Sequence, residues 1–216
     1  MLTTELSFFI ASFVALFTII NPFNAASVLI SLTPHKSIEE RKIIAQKAAL
    51  TAAFLLIIFS VAGKFILGLF SITIDAFRIG GGILIFSLGY KMLNSKRKYF
   101  HSEHEEKHAR EKEDISIIPL AIPFMAGPGA LTTAIVLMTQ AKDVPMNQAS
   151  VILGIIIVSF ICYYILSRAH IIEDYLNITA RRIITTIMGL LVLVIGIQFI
   201  INGVTNIVGG WLLPLI

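Results

Sequence analysis

The sequence predicts an all-α membrane protein of six transmembrane helices, built as two inverted three-helix repeats with the first and fourth spans discontinuous. Three observations carry this reading. The apolar residues gather in long runs, the basic residues gather in alternate loops, and two proline breaks recur at almost the same offset as two pairs of glycines.

Of 216 residues, 56% are apolar and 14% charged, and the mean hydropathy is +0.88. A soluble domain carries about 45–50% apolar and about 25% charged residues. An apolar run of about 18 residues or more matches the hydrocarbon thickness at helical rise. Six such runs are read: Leu6–Leu32, Ala45–Phe70, Ala76–Leu93, Ile115–Thr139, Ala149–Leu166 and Ile183–Ile201. The first is too long, and lacks the basic flank, for a removable signal peptide. The single cysteine, Cys162, falls inside the fifth run and is read as an apolar filler.

The loops set the orientation. Fourteen Lys and Arg residues lie on the side of loops 1–2, 3–4 and 5–6, whereas Lys64, Arg78 and Lys142 alone lie on the other. Basic residues stay on the cytoplasmic side, so both termini are expected in the periplasm of a bacterial inner (plasma) membrane. The pI of about 9.3 therefore reflects topology, and no nucleic-acid partner is expected. The polar stretch 94–114 divides the chain into a first repeat, residues 1–93, and a second, residues 115–216. Within it His101, His104 and His108 have helical metal-ligand spacing, but an exposed charged linker is the favoured reading. No metal site and no cofactor are expected.

Asn21-Pro22-Phe23-Asn24 interrupts the first span and Gly127-Pro128-Gly129-Ala130 the fourth, with the prolines 106 residues apart. Gly82 and Gly89 of the third span answer to Gly189 and Gly196 of the sixth, each pair 107 apart. Each half has an odd number of spans, so the second half enters the membrane from the opposite side and the repeat is inverted. Proline-interrupted spans at matching positions in inverted halves mark a substrate site near midplane, as in secondary transporters. Such breaks survive in a bilayer only where protein or a water-filled cavity satisfies the freed backbone.

The candidate substrate-binding residues are therefore Asn21, Pro22, Asn24 and Ser27 in the first half. In the second they are Gly127, Pro128, Gly129, Thr132 and Thr133. A restarted helix presents free N–H groups and a partial positive charge, which suits a carboxylate. Gln198, four residues from Asn202 in span six, is a further candidate, with an interhelical structural role favoured. No Asp or Glu falls within a span; Asp75 sits at the edge of the third, beside Arg78. A buried acid relay for protons is not expected. Lys64 and His170, near span ends, are read as snorkelling. No Ser-Lys, paired-carboxylate or histidine-metal constellation lies at membrane depth, so the chain is not expected to be an enzyme.

At these breaks the sequence resembles the MarC family, which includes the SnatA-like small neutral amino acid transporters. The resemblance spans essentially the whole chain. It rests on Asn21-Pro22-Phe23-Asn24, on Pro119-Leu-Ala-Ile-Pro123 with Ala126-Gly-Pro-Gly-Ala130-Leu-Thr-Thr133, on Arg78-Ile-Gly-Gly-Gly82 and on Gly196-Ile-Gln198. The family pattern has glycine where this chain has Asn24, a departure that narrows or repolarises the pocket. The resemblance implies a carrier for small neutral amino acids such as glycine and alanine. Coupling to sodium or protons, homo-oligomer formation and the direction of transport are left open. The competing reading is a passive channel, or an exporter of another small metabolite.

Overall fold

A computed structural model describes residues 2–94, 115–171 and 178–212 of the chain, and the described residues are helical almost throughout, with no strand among them. The first apolar run forms α1 (Leu2–Ile20) and α2 (Pro22–Leu32), separated at Asn21. Next come α3 (Ile38–Leu69) and α4 (Ile74–Asn94). The second half contributes α5 (Ser116–Met125), α6 (Pro128–Gln140), α7 (Pro145–Ser167) and α8 (Ile178–Leu212). The stretch 95–114, with its three histidines, lies outside the described residues.

Local sequence explains where these helices start. Ser37 accepts a hydrogen bond from the Glu40 N–H, and the Glu40 carboxylate accepts one from the Ser37 N–H. This reciprocal cap starts α3 well before the apolar run at Ala45. Pro22, Pro128 and Pro145 each open a helix at a first position, where an N–H would have no acceptor within the helix it starts.

Among the described residues, five stretches are long and apolar enough to cross a membrane: Glu5–Ile30, Ile38–Leu69, Ile74–Asn94, Pro145–Ser167 and Arg182–Gly209. The predicted fourth span is not among them, because Ile115–Thr139 does not form one long helix. Ile118 (φ −120°, ψ 123°) and Ile122 (φ −124°, ψ 120°) are extended. Each precedes a proline, Pro119 and Pro123, whose ring excludes the helical conformation from the residue before it. The α5 segment is consequently a wide-turned helix with two kinks, and the chain breaks again at Gly127 before α6.

The helices pack as a bundle with a closely joined pair at its side. Central α3 and α7 touch each other; α3 also supports α5 and α6, while α7 supports α1 and α2. Both helices send small or aliphatic residues into the core, Ala45, Ala48, Ala52 and Leu56 from α3, and Val151, Ile155 and Val158 from α7, all at most 1% exposed. Cys162 is buried in the same core. Large apolar residues such as Phe54, Phe65, Phe160 and Leu190 point outward and are more than half exposed. A water-soluble surface does not carry so extensive an apolar face, whereas a lipid-facing one does.

The most extensive helix contact is the antiparallel α4–α8 pair. A Cβ at Gly82 would fall 2.7 Å from the Gly196 carbonyl oxygen, and one at Gly89 2.7 Å from that of Gly189. Reciprocally, a Cβ at Gly196 would fall 2.8 Å from the Gly82 carbonyl oxygen, and one at Gly189 3.5 Å from that of Gly89. Shifting by the 107-residue offset exchanges these two contacts. In lipid no hydrophobic force joins helices, so backbone approach at small residues supplies much of the association. At one end of this pair Asn206 Nδ2 donates to Asp75 Oδ1 at 2.9 Å, and Arg78 lies 3.4 Å from the same oxygen.

Candidate functional site

The first break is set by Asn21 and Pro22. Proline has no N–H, so the carbonyl of Thr18, one turn earlier, loses its helical donor. Asn21 takes the left-handed conformation (φ 50°, ψ 75°), which asparagine tolerates better than most residues. Its N–H donates back to the Phe17 carbonyl at 2.9 Å, and its own carbonyl accepts from Asn24 and Ala25 at 3.0 and 3.1 Å. Its side-chain Oδ1 accepts from the Asn24 N–H at 3.2 Å, capping α2. That leaves Nδ2 as a donor. Asn21 is only 4% exposed, and Nδ2 has no hydrogen-bond partner among the described residues.

The second break is built differently. Gly127 is extended (φ −77°, ψ 175°), and no side chain caps α6. Leu131 N–H reaches the Gly127 carbonyl at 3.0 Å, starting the helix. The first-turn N–H groups of Gly129 and Ala130 have no carbonyl one turn behind them. Pro128 likewise removes the donor for the Phe124 carbonyl.

These two breaks meet at one cavity of about 240 Å³. Ile19, Ile20, Asn21 and Asn24 line it from the first break; Phe124, Gly127, Pro128, Gly129 and Ala130 line it from the second. Leu84, Leu88 and Met92 of α4 form the remaining wall. No lining residue is ionisable. Two helix starts, carrying partial positive charge, and two helix ends, carrying partial negative charge, therefore converge on an electrically neutral site.

Of the residues singled out in the sequence, Asn21, Asn24, Gly127, Pro128 and Gly129 line this cavity. The others lie off its lining. Pro22 is buried beside Asn21. Ser27 Oγ donates to the Phe23 carbonyl at 3.0 Å, and Thr133 Oγ1 to the Gly129 carbonyl at 2.8 Å, so both hydroxyls bond their own helices. Thr132 is buried against Gly81 of α4, where an added Cβ would fall 2.7 Å from its Oγ1. Gln198 is exposed on α8 and donates along its own helix to Asn202 at 2.8 Å. Lys64 is exposed and His170 half-buried, both away from the cavity. The α4 wall and Phe124 carry no sequence signal, since an apolar residue in an apolar span looks alike facing a cavity or a lipid.

The family model for the MarC family of integral membrane proteins matches residues 6–208. A UPF0056 membrane protein of Methanocaldococcus jannaschii is 36% identical over 200 residues, covering 93% of this chain and 97% of its own. The UPF0056 membrane protein YvbG of Bacillus subtilis is 36% identical over 196 residues, covering 90% and 92%. A UPF0056 membrane protein of Aquifex aeolicus is 34% identical over 200 residues, covering 92% and 93%. No solved structure gives a significant match. With a family match running nearly end to end and relatives this similar over their whole lengths, the chain belongs to the MarC family of multi-pass integral membrane proteins.

Proposed function

We propose that the protein is a secondary transporter of small neutral amino acids, and that the cavity between its two helix breaks is the substrate site. The single observation that carries this reading is the unpartnered, buried Nδ2 of Asn21, a residue that lines an uncharged cavity where two helix starts converge. The substrate carboxylate accepts from Asn21 Nδ2 and from the first amides of α6, replacing water where the backbone already offers donors. The ammonium lies toward the ends of α1 and α5, where the carbonyls of Thr18 and Phe124 lack helical donors. A zwitterion matches this arrangement because it brings both signs and no net charge. A simple anion or cation would leave one pair of helix ends uncompensated.

The reading extends to topology. The reciprocal contacts of Gly82 with Gly196 and Gly89 with Gly189 support two inverted three-helix halves. Taken end to end, Ser116–Gln140 at helical rise covers about 35 Å, enough for α5 and α6 together to make the fourth of six crossings. The division of basic residues supports periplasmic termini in a bacterial inner membrane.

Counterflow in proteoliposomes tests the proposal. Vesicles preloaded with unlabelled alanine should transiently accumulate labelled alanine, and imposed sodium or proton gradients should reveal any coupling. A passive channel would equilibrate the label without overshoot. No amino acid-dependent flux at all would remove the proposal.

A further inference from the structure

Leu84, Leu88 and Met92 stand four residues apart on one face of α4, and all three line the cavity. Their exposure falls along the row, from 53% at Leu84 to 36% at Leu88 and 6% at Met92, so Leu84 is the least and Met92 the most enclosed of the three. The polar groups of the lining belong to the breaks opposite, in Asn21, Asn24 and the helix starts; the α4 wall offers none. We infer that this row is the specificity wall of the site, and that it selects an aliphatic side chain of about valine or leucine size over the bare glycine. The inference rests on the proposed zwitterion site and deepens it.

Two physical arguments converge on that class. A water molecule occupies about 30 Å³ of liquid, so a cavity of about 240 Å³ has room for about eight waters' worth of ligand. Glycine, held by its two charged ends at the breaks, would leave the space before Leu88 and Met92 unfilled. Atoms facing a void forfeit their dispersion contacts. The second argument concerns polarity: a hydroxyl reaching the α4 wall would find no partner and would be desolvated without compensation. The wall therefore disfavours serine as well as glycine. Met92, unbranched, adaptable and the most enclosed of the three, sets the longest side chain accepted.

Isothermal titration of the purified full chain with glycine, alanine, 2-aminobutyrate, valine, leucine and serine tests this. Affinity should rise about fourfold for each methylene from alanine to leucine, the fold-change expected for burying one such group. Serine should bind no better than alanine. Leu88→Phe shortens the space and should return the optimum to alanine. Met92→Ala deepens the space and should extend the rise to longer unbranched side chains. Leu88 is the less buried of the two, so its variant keeps the test intact if Met92→Ala fails to fold. Equal affinities along the series, or serine above alanine, would overturn the wall while leaving the zwitterion site standing. No binding of any amino acid by folded protein would overturn both.

Discussion

Asn21 has three separable tasks: its backbone is left-handed, its Oδ1 caps α2, and in the proposed site its buried, unpartnered Nδ2 donates to the substrate. Asn21→Gly removes both side-chain tasks and keeps the first, because glycine reaches positive φ without penalty. Losing an asparagine cap to glycine costs only a few tenths of a kcal/mol, so folding stability should barely change. Binding should change greatly. A hydrogen bond to a charged group contributes about 1.5–3 kcal/mol, so loss of the Nδ2 donor should raise Kd by about 10- to 150-fold. Asn21→Asp keeps the cap acceptor and replaces the donor with a negative charge facing the substrate carboxylate, so it should bind more weakly still. Asn21→Ala would confuse the test, since alanine keeps the Cβ but lacks the local side-chain hydrogen bond by which asparagine tolerates the left-handed region. The assay pairs isothermal titration with thermal unfolding in the same detergent. Wild-type Kd in both Gly and Asp variants, with melting unchanged, would refute the assignment of Asn21 as a carboxylate donor.

Other outcomes follow from packing and topology. Gly89→Ala and Gly196→Ala place a Cβ against backbone of the partner helix and should each destabilise by at least about 1–3 kcal/mol, lowering the melting temperature. Gly80→Ala and Gly68→Ala meet nothing within 4 Å and should be neutral or stabilise by up to about 1 kcal/mol. Gly81→Ala collides with Thr132, and Thr132→Ala should rescue part of the loss; a double-mutant cycle should give a coupling of about 0.5–3 kcal/mol. Additive losses there would mean that α4 and α6 do not meet at these residues. Reporter fusions at Glu105 and Ile216 should read cytoplasm and periplasm respectively, and the same side for both would defeat the six-span topology.

The two breaks and the glycine seam were legible because they depend on residues whose backbone chemistry overrides context. Pro22 and Pro128 lack an N–H wherever they stand, and Gly82, Gly89, Gly189 and Gly196 share one offset because they serve one close contact. The kinks at Ile118 and Ile122 were readable by the same rule, but an uninterrupted apolar run concealed them. Hydroxyl roles were not legible. Ser27 and Thr133 each had a backbone carbonyl four residues back, and a helix interior satisfies such hydroxyls locally. Thr132 likewise filled the space opened by Gly81, on a helix whose rotation about its axis no local pattern reveals. The reach of α3 back to Ile38 was signalled by Ser37 and Glu40, polar residues that a search for apolar runs passes over.

The antiparallel glycine seam has a consequence for biogenesis. Gly82 and Gly89 enter the membrane with α4, but the backbone they fit belongs to α8, about a hundred residues further along the chain. Until α8 inserts, this groove meets only lipid, whose chains follow a helix surface less closely than another helix does. Two copies of the first half could not substitute for the missing partner, since copies inserted with one orientation would bring their α4 helices together parallel. Carrying α4 and α8 on one polypeptide guarantees the antiparallel pair once per molecule, and severing the chain within 94–114 should leave two fragments that recover the seam only when made together.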